Sequence, residues 1–146
     1  MSKAMALCWS QRKEMEGKKR SLYQRLGGFD VIAAVIDDLF ARLREDPKFA
    51  RFTVRSLDSH HRARQLLVDQ MCALAGGPCI YIGRDMKTSH AGLGITEEEW
   101  DSNLRHTVAA LKKNGIAEPE QKEFLALFTQ YKNDIVEASG SAAGAR

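Results

Sequence analysis

Hydrophobic residues recur every three or four positions along most of this chain, which is the spacing of amphipathic helices. One stripe predicts a long helix over residues 29–46, and its apolar positions are Val31, Ile32, Val35, Ile36, Leu39, Phe40 and Leu43. Another predicts a last helix from Glu118 to about Glu137, with a core side of Phe124, Leu125, Leu127, Phe128, Tyr131 and Ile135. The only strand-like run, CIYI, is too short to build a sheet, so the pattern predicts an all-α protein.

Capping residues and helix breakers predict where the other helices begin and end. Ser21 is a candidate N-cap for a first helix that closes at Gly27 and Gly28. A turn of helix is predicted from Asp46-Pro47 to Phe52, and a longer helix from about Ser59 to Ala75, where Gly76-Gly77-Pro78 stops it. A short helix at 86–90 is stopped by Gly92 and Gly94. The next helix opens with a Thr96–Glu99 capping box, carries Trp100, Leu104, Val108 and Leu111 on one face, and ends at Gly115.

Length and composition fit one folded domain. The chain has 146 residues, of which 44% are hydrophobic and 28% charged. We expect a basic N-terminal extension at 1–20, a domain at 21–138 and a flexible tail at 139–146. No run reaches the roughly 18 apolar residues of a membrane helix, and AMALCW is too short for a signal-peptide core. These features predict a cytoplasmic protein without an integral membrane segment.

Charge is concentrated in the first 20 residues. They hold six basic and two acidic residues, a net charge of +4, which leaves the rest at −1 within a total of +3. The segment is interpreted as a solvated, partly helical extension, with a weak membrane or partner anchor as the alternative. A near-neutral body does not indicate a nucleic-acid-binding surface.

The cysteines do not suggest a disulfide framework or a metal site. Cys8, Cys72 and Cys79 are odd in number and share no ligand spacing. Cys72 falls inside a helical pattern, where we expect a small core side chain. The four histidines, His60, His61, His90 and His106, likewise lack the spacing of a zinc site.

A lone histidine in the segment MKTSHAGLGIT raises a different possibility. His90 lies on a short helix between two long ones, and its default interpretation is a surface or satisfied core residue. Haem iron, however, already has four ring nitrogens and needs only one axial imidazole from the protein. Such a site requires an apolar pocket among helices, which this sequence predicts.

The order of motifs resembles the truncated haemoglobins, the short globins with a two-over-two helical sandwich, and most of all their first group. The resemblance covers about Ser21 to Glu137 and is carried by LYQRLGG, LFARLREDPKFARF, LAGGPCIY, and MKTSHAGLGIT followed by tryptophan. It implies a haem b cofactor (iron protoporphyrin) with His90 as the proximal iron ligand.

The distal side departs from that family. Phe40 occupies the position where the first group usually carries a tyrosine that donates a hydrogen bond to oxygen, so the donor is missing. Thr53 replaces a second aromatic residue beside Phe52, and Phe52 is the predicted ring against haem. Asn103 occupies a pocket position of some members, where its amide is a candidate donor; a half-exposed helix residue is the alternative. His106 is expected to be capped or solvated.

Two alignments of the distal helix remain open. One places Ala63 and Leu67 in the pocket with an inward series His60, Ala63, Leu67, Met71 and Leu74. The other places His61 and Gln65 there and brings Asp69 against haem, which would bury an unpaired carboxylate. The first is favoured, and in it neither His60 nor His61 is expected to bind iron at rest.

The resemblance also implies the rest of the pocket. Tyr81 matches a loop tyrosine that contacts the propionates, and Lys87 and Arg64 are candidate cationic partners, with solvated charges as the alternative. The other residues assigned to haem binding are Met71, Met86, Ile95 and Trp100.

The function implied is reversible binding of oxygen or other diatomic gases, including carbon monoxide and nitric oxide. The alternative is a haem redox enzyme of the nitric oxide dioxygenase, peroxidase or nitrite reductase type. Its electrons would come from an external reductase. A haem-free helical adaptor is a third interpretation.

Overall fold

The computed structural model describes residues 20–53 and 56–137, and this part of the chain is helical, with no strand. The predicted extension (except Arg20), the predicted tail and Cys8 lie outside the described residues. The helices are α1 (Leu22–Leu26), α2 (Phe29–Glu45), a 3₁₀ turn (Pro47–Phe49), α3 (Ala50–Thr53), α4 (Leu57–Leu74), α5 (Met86–His90), α6 (Glu97–Lys113), α7 (Glu118–Thr129) and α8 (Lys132–Ile135).

The short first helix is fixed by its ends. Ser21 and Gln24 form a capping box, and Gly27 closes the helix at φ 111°, a left-handed conformation that favours glycine. The Tyr23 amide then donates to the Ala75 carbonyl oxygen at 2.8 Å. Because Ala75 is the C-cap of α4, this bond ties the two helix ends together.

The main core lies where α2 packs against both α4 and α6. Only α2 contributes its predicted face in full, since its whole apolar stripe lies in this core. The fully buried residues of α4 are Val68, Met71 and Cys72, and of these only Met71 belongs to the inward series of the favoured alignment. From α6 come the predicted Leu111 and its neighbour Ala110, and α7 adds Phe124. The residues of this core that are at most 1% exposed are Ile32, Val35, Ile36, Leu39, Val68, Met71, Cys72, Ala110, Leu111 and Phe124. Their burial removes apolar surface from water and supplies most of the stabilisation of the fold.

A second, smaller core surrounds the short helix α5. Met86, Trp100 and Ile135 are buried there, and the half-buried residues packed against them are Tyr81, Ile95, Leu104, Phe128, Tyr131 and Val136. The fold therefore holds α5 against α8 and the start of α6 rather than within the main core.

Two predicted helix boundaries are wrong. The distal helix α4 begins at Leu57 rather than Ser59, because the Ser56 hydroxyl accepts the Ser59 amide and caps the helix. The last helix is not continuous: α7 ends at Thr129 and α8 begins at Lys132. The intervening turn lets Tyr131 and Ile135 reach the second core.

The expectation that the cysteines stay unpaired is also wrong. Cys72 and Cys79 form a disulfide, with Cα atoms 5.7 Å apart. Cys72 is fully buried, as predicted, but its sulfur faces the loop that follows α4 rather than packing only as a small apolar group. Within the described ranges, no helix is both long enough and apolar enough to cross a membrane.

Candidate functional site

The helix that carries His90 is short but well anchored. Asp85 is its N-cap, and the Asp85 carboxylate accepts the Thr88 amide at 2.7 Å. Hydrogen bonds from the Thr88 side chain and then from the Thr88 amide hold the pKa of Asp85 below its usual value, because they stabilise the charged carboxylate. Met86, the first residue of α5, is buried against Trp100 in the second core. The helix axis is therefore fixed by one cap and one buried side chain.

The His90 imidazole is held through one of its two nitrogens. Nδ1 lies 2.9 Å from the Met86 carbonyl oxygen, one turn earlier, and 2.9 Å from the Ser89 hydroxyl. With the proton on Nδ1 donated to that carbonyl, Nε2 keeps a free lone pair. This is the tautomer and the backbone partner that metal-binding histidines commonly use.

The turn after His90 is fastened from two sides. The Glu137 carboxylate accepts the amides of Gly92 and Gly94, each at 3.0 Å. From the other side, the Arg51 guanidinium donates to the carbonyl oxygens of Leu93 and Gly94 and pairs with Glu99 at 2.6 Å. Residues distant in sequence thereby position the backbone beside the candidate ligand.

A cavity of about 720 Å³ opens between α2, α3 and the start of α4. It brings together four of the predicted site residues, Phe40, Phe52, Ala63 and Arg64. The other predicted site residues do not line this cavity: Leu67, Met71, Tyr81, Met86, Lys87, His90, Ile95, Trp100 and Asn103. The lining residues that the sequence did not predict for the site are Asp37, Leu43, Arg44, Phe49, Thr53, Leu57, Ser59, His60, His61 and Gln65.

The two aromatic residues before the cavity have different environments. Phe49 is buried, and its ring packs edge-on against His106 and 6.2 Å from the Phe52 ring. Phe52 is half-buried, and the Arg51 guanidinium carbon lies 4.0 Å from its ring centre. The sequence pattern predicted only Phe52 as a pocket residue. Phe49, three residues before it in the 3₁₀ turn, also lines the cavity and was not predicted.

Burial along α4 bears on the open alignment. Ala63 and Leu67 are half-buried, whereas His61 and Gln65 are exposed. The Gln65 amide donates to Asp69 at 3.1 Å, so this carboxylate has a partner on its own helix. The fully buried residues of α4, however, include Met71 from the first series and Cys72 from the second, and His61, Ala63 and Gln65 all line the cavity. Both alignments therefore remain alternatives.

The His60 side chain forms a hydrogen bond with a backbone carbonyl. Its Nε2 lies 3.0 Å from the Thr53 carbonyl oxygen, across the connection between α3 and α4. His106 is likewise not simply solvated: its Nε2 lies 2.7 Å from an Asp46 carboxylate oxygen. This contact is the largest cause of the lowered pKa of Asp46.

The predicted propionate partners are placed differently from one another. Arg64 donates two hydrogen bonds to Asp37, at 2.5 and 3.0 Å, and these bonds lower the pKa of Asp37. Lys87 is exposed and makes no hydrogen bond or ion pair with the described residues. The Tyr81 hydroxyl donates to the Arg84 carbonyl oxygen at 2.6 Å, and burial raises its pKa.

Asn103 has a buried amide oxygen without a partner. Within the described part of the chain, its Oδ1 is the one buried side-chain polar atom that lacks a hydrogen bond. Buried polar atoms are normally satisfied, so an unpaired one indicates a group that is missing from the protein alone. Asn103 lies on α6, three residues after the buried Trp100.

The histidines and acids do not assemble a conventional metal site. Among residues 20–53 and 56–137, no group of three or more histidine, cysteine or acidic side chains is placed to hold an ion. One imidazole nitrogen without a partner among the described residues, on His90, and one unsatisfied buried amide oxygen, on Asn103, fit a metal that brings its own equatorial ligands. The residues present therefore fit haem.

Comparison with known proteins points the same way. Residues 21–137 match the profile of the family described as bacterial-like globin. A group 1 truncated haemoglobin from Tetrahymena pyriformis is 24% identical over 119 residues, 82% of this chain and 97% of that protein. A group 1 truncated haemoglobin from Nostoc sp. is 29% identical over 120 residues, 80% of this chain and 97% of its own.

Solved structures agree on the fold. The Fe(III) form of the Tetrahymena pyriformis truncated haemoglobin superposes with a TM-score of 0.74 at 21% identity, covering 82% of this chain and all of the other. The 2/2 haemoglobin from Synechococcus sp. in the cyanomet state gives a TM-score of 0.72 at 23% identity, covering 80% and 98% of the two chains. The two-over-two helical architecture predicted from the sequence is confirmed.

Proposed function

Because this chain belongs to the bacterial-like globin family, whose members bind haem and diatomic gases, we propose that it binds oxygen reversibly at haem held by His90. The observation that carries this proposal is the free Nε2 of His90, set by the hydrogen bond between Nδ1 and Met86. When bound, haem b would supply an iron centre at which a gas can bind, and His90 would be the residue that holds it.

The role of His90 follows from its hydrogen bond. Donation from Nδ1 to a carbonyl fixes the rotation of the ring and leaves Nε2 as the nitrogen that can bind a metal. The turn after His90 donates a backbone hydrogen bond to the Glu137 carboxylate and accepts one from the Arg51 guanidinium, and these bonds resist rotation of the short helix. We propose that these contacts together hold Nε2 in one orientation toward the cofactor.

The other walls of the pocket are proposed as follows. Met71, Leu67 and Phe40 provide apolar contacts from the main core, and Ala63 leaves room beside them. Met86, Ile95 and Trp100 provide the apolar contacts of the second core. Phe52 supplies an aromatic face at the opening of the cavity. An apolar enclosure would exclude water and protons and so would slow oxidation of the ferrous iron.

The three candidate partners of the haem propionates differ in whether they already have a partner in the protein. Lys87 lies on the His90 helix, is exposed and is unpaired within the described ranges, so it is the preferred cationic partner. Tyr81 is anchored near the same helix through Arg84. Arg64 is already matched by Asp37 and would have to exchange that carboxylate for a propionate, which makes it the weaker candidate.

Asn103 is proposed as the polar group of the distal side. Phe40 has no hydrogen-bond donor, and the described distal face offers Ala63 and Leu67 beside it. The unsatisfied amide of Asn103 is supported as a pocket group by its lack of a protein partner. Rotation of the amide by half a turn would present its N–H₂ to a gas ligand.

Absorption spectroscopy with gas exchange tests this function. The purified full-length chain, loaded with haem and reduced, should show a Soret band that shifts on exposure to oxygen and returns on its removal. Turnover assays with nitric oxide, peroxide and nitrite, with and without an electron donor, test the redox alternative. Irreversible oxidation on the first exposure to oxygen, together with catalytic turnover, would favour the enzyme instead.

A further inference from the structure

The segment between α4 and α5 is held in an unusual way. Pro78 has no amide hydrogen, and within the described residues positions 78–84 make no hydrogen bond between backbone atoms. Ile80 and Ile82 are each 78% exposed, so they contribute little packing. The segment therefore depends on a few side chains for its position.

Two anchors can be identified. Tyr81 packs into the second core, and its hydroxyl donates to the Arg84 carbonyl within the same segment. The other anchor is covalent: Cys79 is bonded to Cys72, which lies fully buried on α4. Among residues 20–53 and 56–137, this second anchor is the one that ties the segment to the main core, and the last backbone hydrogen bond before the segment joins Gly77 to Cys72.

The fold is shaped to accommodate this bond. A side chain at Gly77 would place its Cβ 2.7 Å from the Cys72 sulfur and 2.4 Å from the Tyr23 ring. Glycine therefore leaves the space in which the Cys72 sulfur meets Cys79. A Cα separation of 5.7 Å lies within the normal range for cysteines that pair without backbone movement.

We propose that Cys72 and Cys79 form a reversible dithiol–disulfide site that reacts with small disulfides of the glutathione type. Its reduction releases segment 78–84 from the main core. This proposal goes beyond gas binding and does not depend on it.

The difference in burial sets the order of the reaction. Cys79 is half-buried and Cys72 is inaccessible. The Cys79 thiolate attacks one sulfur of the small disulfide, whose sulfur–sulfur bond breaks and releases one small thiolate. Cys72 then gives its proton to solvent and attacks the Cys79 sulfur of the mixed disulfide, and the second small thiolate leaves. Two protein thiols are oxidised and one small disulfide is reduced to two thiols.

The released segment leads directly into the His90 helix. It ends at Arg84, next to Asp85, which caps α5. Arg84 is exposed, so the peptide bond after it is a trypsin site once the chain there can move away from the protein. Proteolysis requires local opening, and its rate reports how strongly the segment is held.

The test uses full-length protein with Cys8→Ser, which leaves only the two cysteines of interest. The protein is equilibrated in buffers of varied reduced-to-oxidised glutathione ratio, alkylated, and analysed by mass spectrometry. In parallel, the rate of tryptic cleavage after Arg84 is measured in each buffer. Cys72→Ala/Cys79→Ala is the matched control, with circular dichroism to establish that it folds.

We expect the disulfide to form and disappear reversibly with the buffer ratio, and cleavage after Arg84 to rise at least tenfold on reduction. The double alanine variant should be cleaved at the fast rate in every buffer. Two free thiols in fully oxidising buffer would overturn the proposal. So would equal cleavage rates for the oxidised and reduced protein. Neither readout uses the haem spectrum, so the result is separate from the proposed gas binding.

Discussion

His90 Nδ1 lies 2.9 Å from the carbonyl oxygen of Met86, one helical turn before it on the same short helix. That carbonyl belongs to the first residue of α5, so the ring folds back along its own helix. With the proton on Nδ1, this contact orients the ring and leaves the Nε2 lone pair free. A five-residue helix is sufficient for this task because the partner lies four residues earlier.

Substitution of His90→Gly should abolish stable haem binding, because this removes the axial imidazole while leaving the rest of the pocket in place. The Soret band of the reconstituted protein should be lost or become broad and weak. Added imidazole should restore a sharp band by occupying the vacated space. Lys112→Gly, at an exposed position of α6, is the control and should bind haem normally. An unchanged spectrum in the His90 variant would contradict the assignment.

Substitution of Phe40→Tyr should slow oxygen dissociation at least tenfold. The added hydroxyl can donate to oxygen in the pocket, and a tenfold change in rate corresponds to about 1.4 kcal/mol. Stopped-flow replacement of oxygen by carbon monoxide measures the rate. Phe40→Leu, which adds no donor, should not slow it. Equal rates for tyrosine and wild type would mean that another donor already serves the ligand.

Substitution of Asn103→Leu should separate two properties of this residue. Oxygen should dissociate several-fold faster from the variant, because the amide donor is gone. The haem-free protein should be as stable as wild type or up to about 1 kcal/mol more stable, because an unpaired buried polar atom has been removed. Urea unfolding of the haem-free form measures the second effect. A variant that is clearly less stable and binds oxygen unchanged would assign Asn103 a purely structural role.

Asp46 should make stability dependent on acid. Its hydrogen bond with His106 holds its folded-state pKa below the ordinary value of 3.8. The contribution to stability is therefore complete above that value and is lost as the pH falls through the lower, folded-state pKa. Asp46→Asn should lower Tm at pH 6, and the difference from wild type should shrink toward pH 2. Asp101→Asn, at an exposed position of α6, should show no such dependence.

The sixth coordination position of the iron should be open at rest. His60 is held by the Thr53 carbonyl, and His61 is exposed, so neither is expected to bind the metal. Flash photolysis of the ferrous carbon monoxide complex should give a single fast rebinding phase. A slow phase that disappears in His60→Ala or His61→Ala would show that the helix start shifts inward. A response to His61→Ala alone would favour the second alignment of the distal helix.

The parts of the fold set by neighbouring residues could be predicted from the sequence. The capping box at Thr96 and Glu99 acts within one turn and is present as expected. The break between α7 and α8 was missed because the local pattern continues through it; the turn forms where Tyr131 reaches the second core. Sequence spacing also could not show that Arg64 meets Asp37, because that pair joins two different helices.

The disulfide illustrates the same limit at the candidate site. Cys72 has a helical environment and Cys79 an irregular one, and the turn through Gly76 and Gly77 decides whether they meet. Counting cysteines could not predict this pairing, since it depends on the direction in which the chain leaves α4. The role of His90 was easier to propose, because the order of the sequence motifs resembles that of a family in which this histidine binds iron.

The clamp formed by Glu137 has a consequence for the order of events during synthesis. Its carboxylate holds the turn after His90, and its amide donates to the Ile95 carbonyl oxygen at 3.0 Å. A nascent chain emerges from its N-terminus, so α1 to α4 can begin to pack while the His90 helix still lacks α8 and Glu137. The fixed orientation of His90 therefore requires that α8 and Glu137 have been synthesised. Binding of a cofactor in the native geometry would consequently follow the synthesis of that segment.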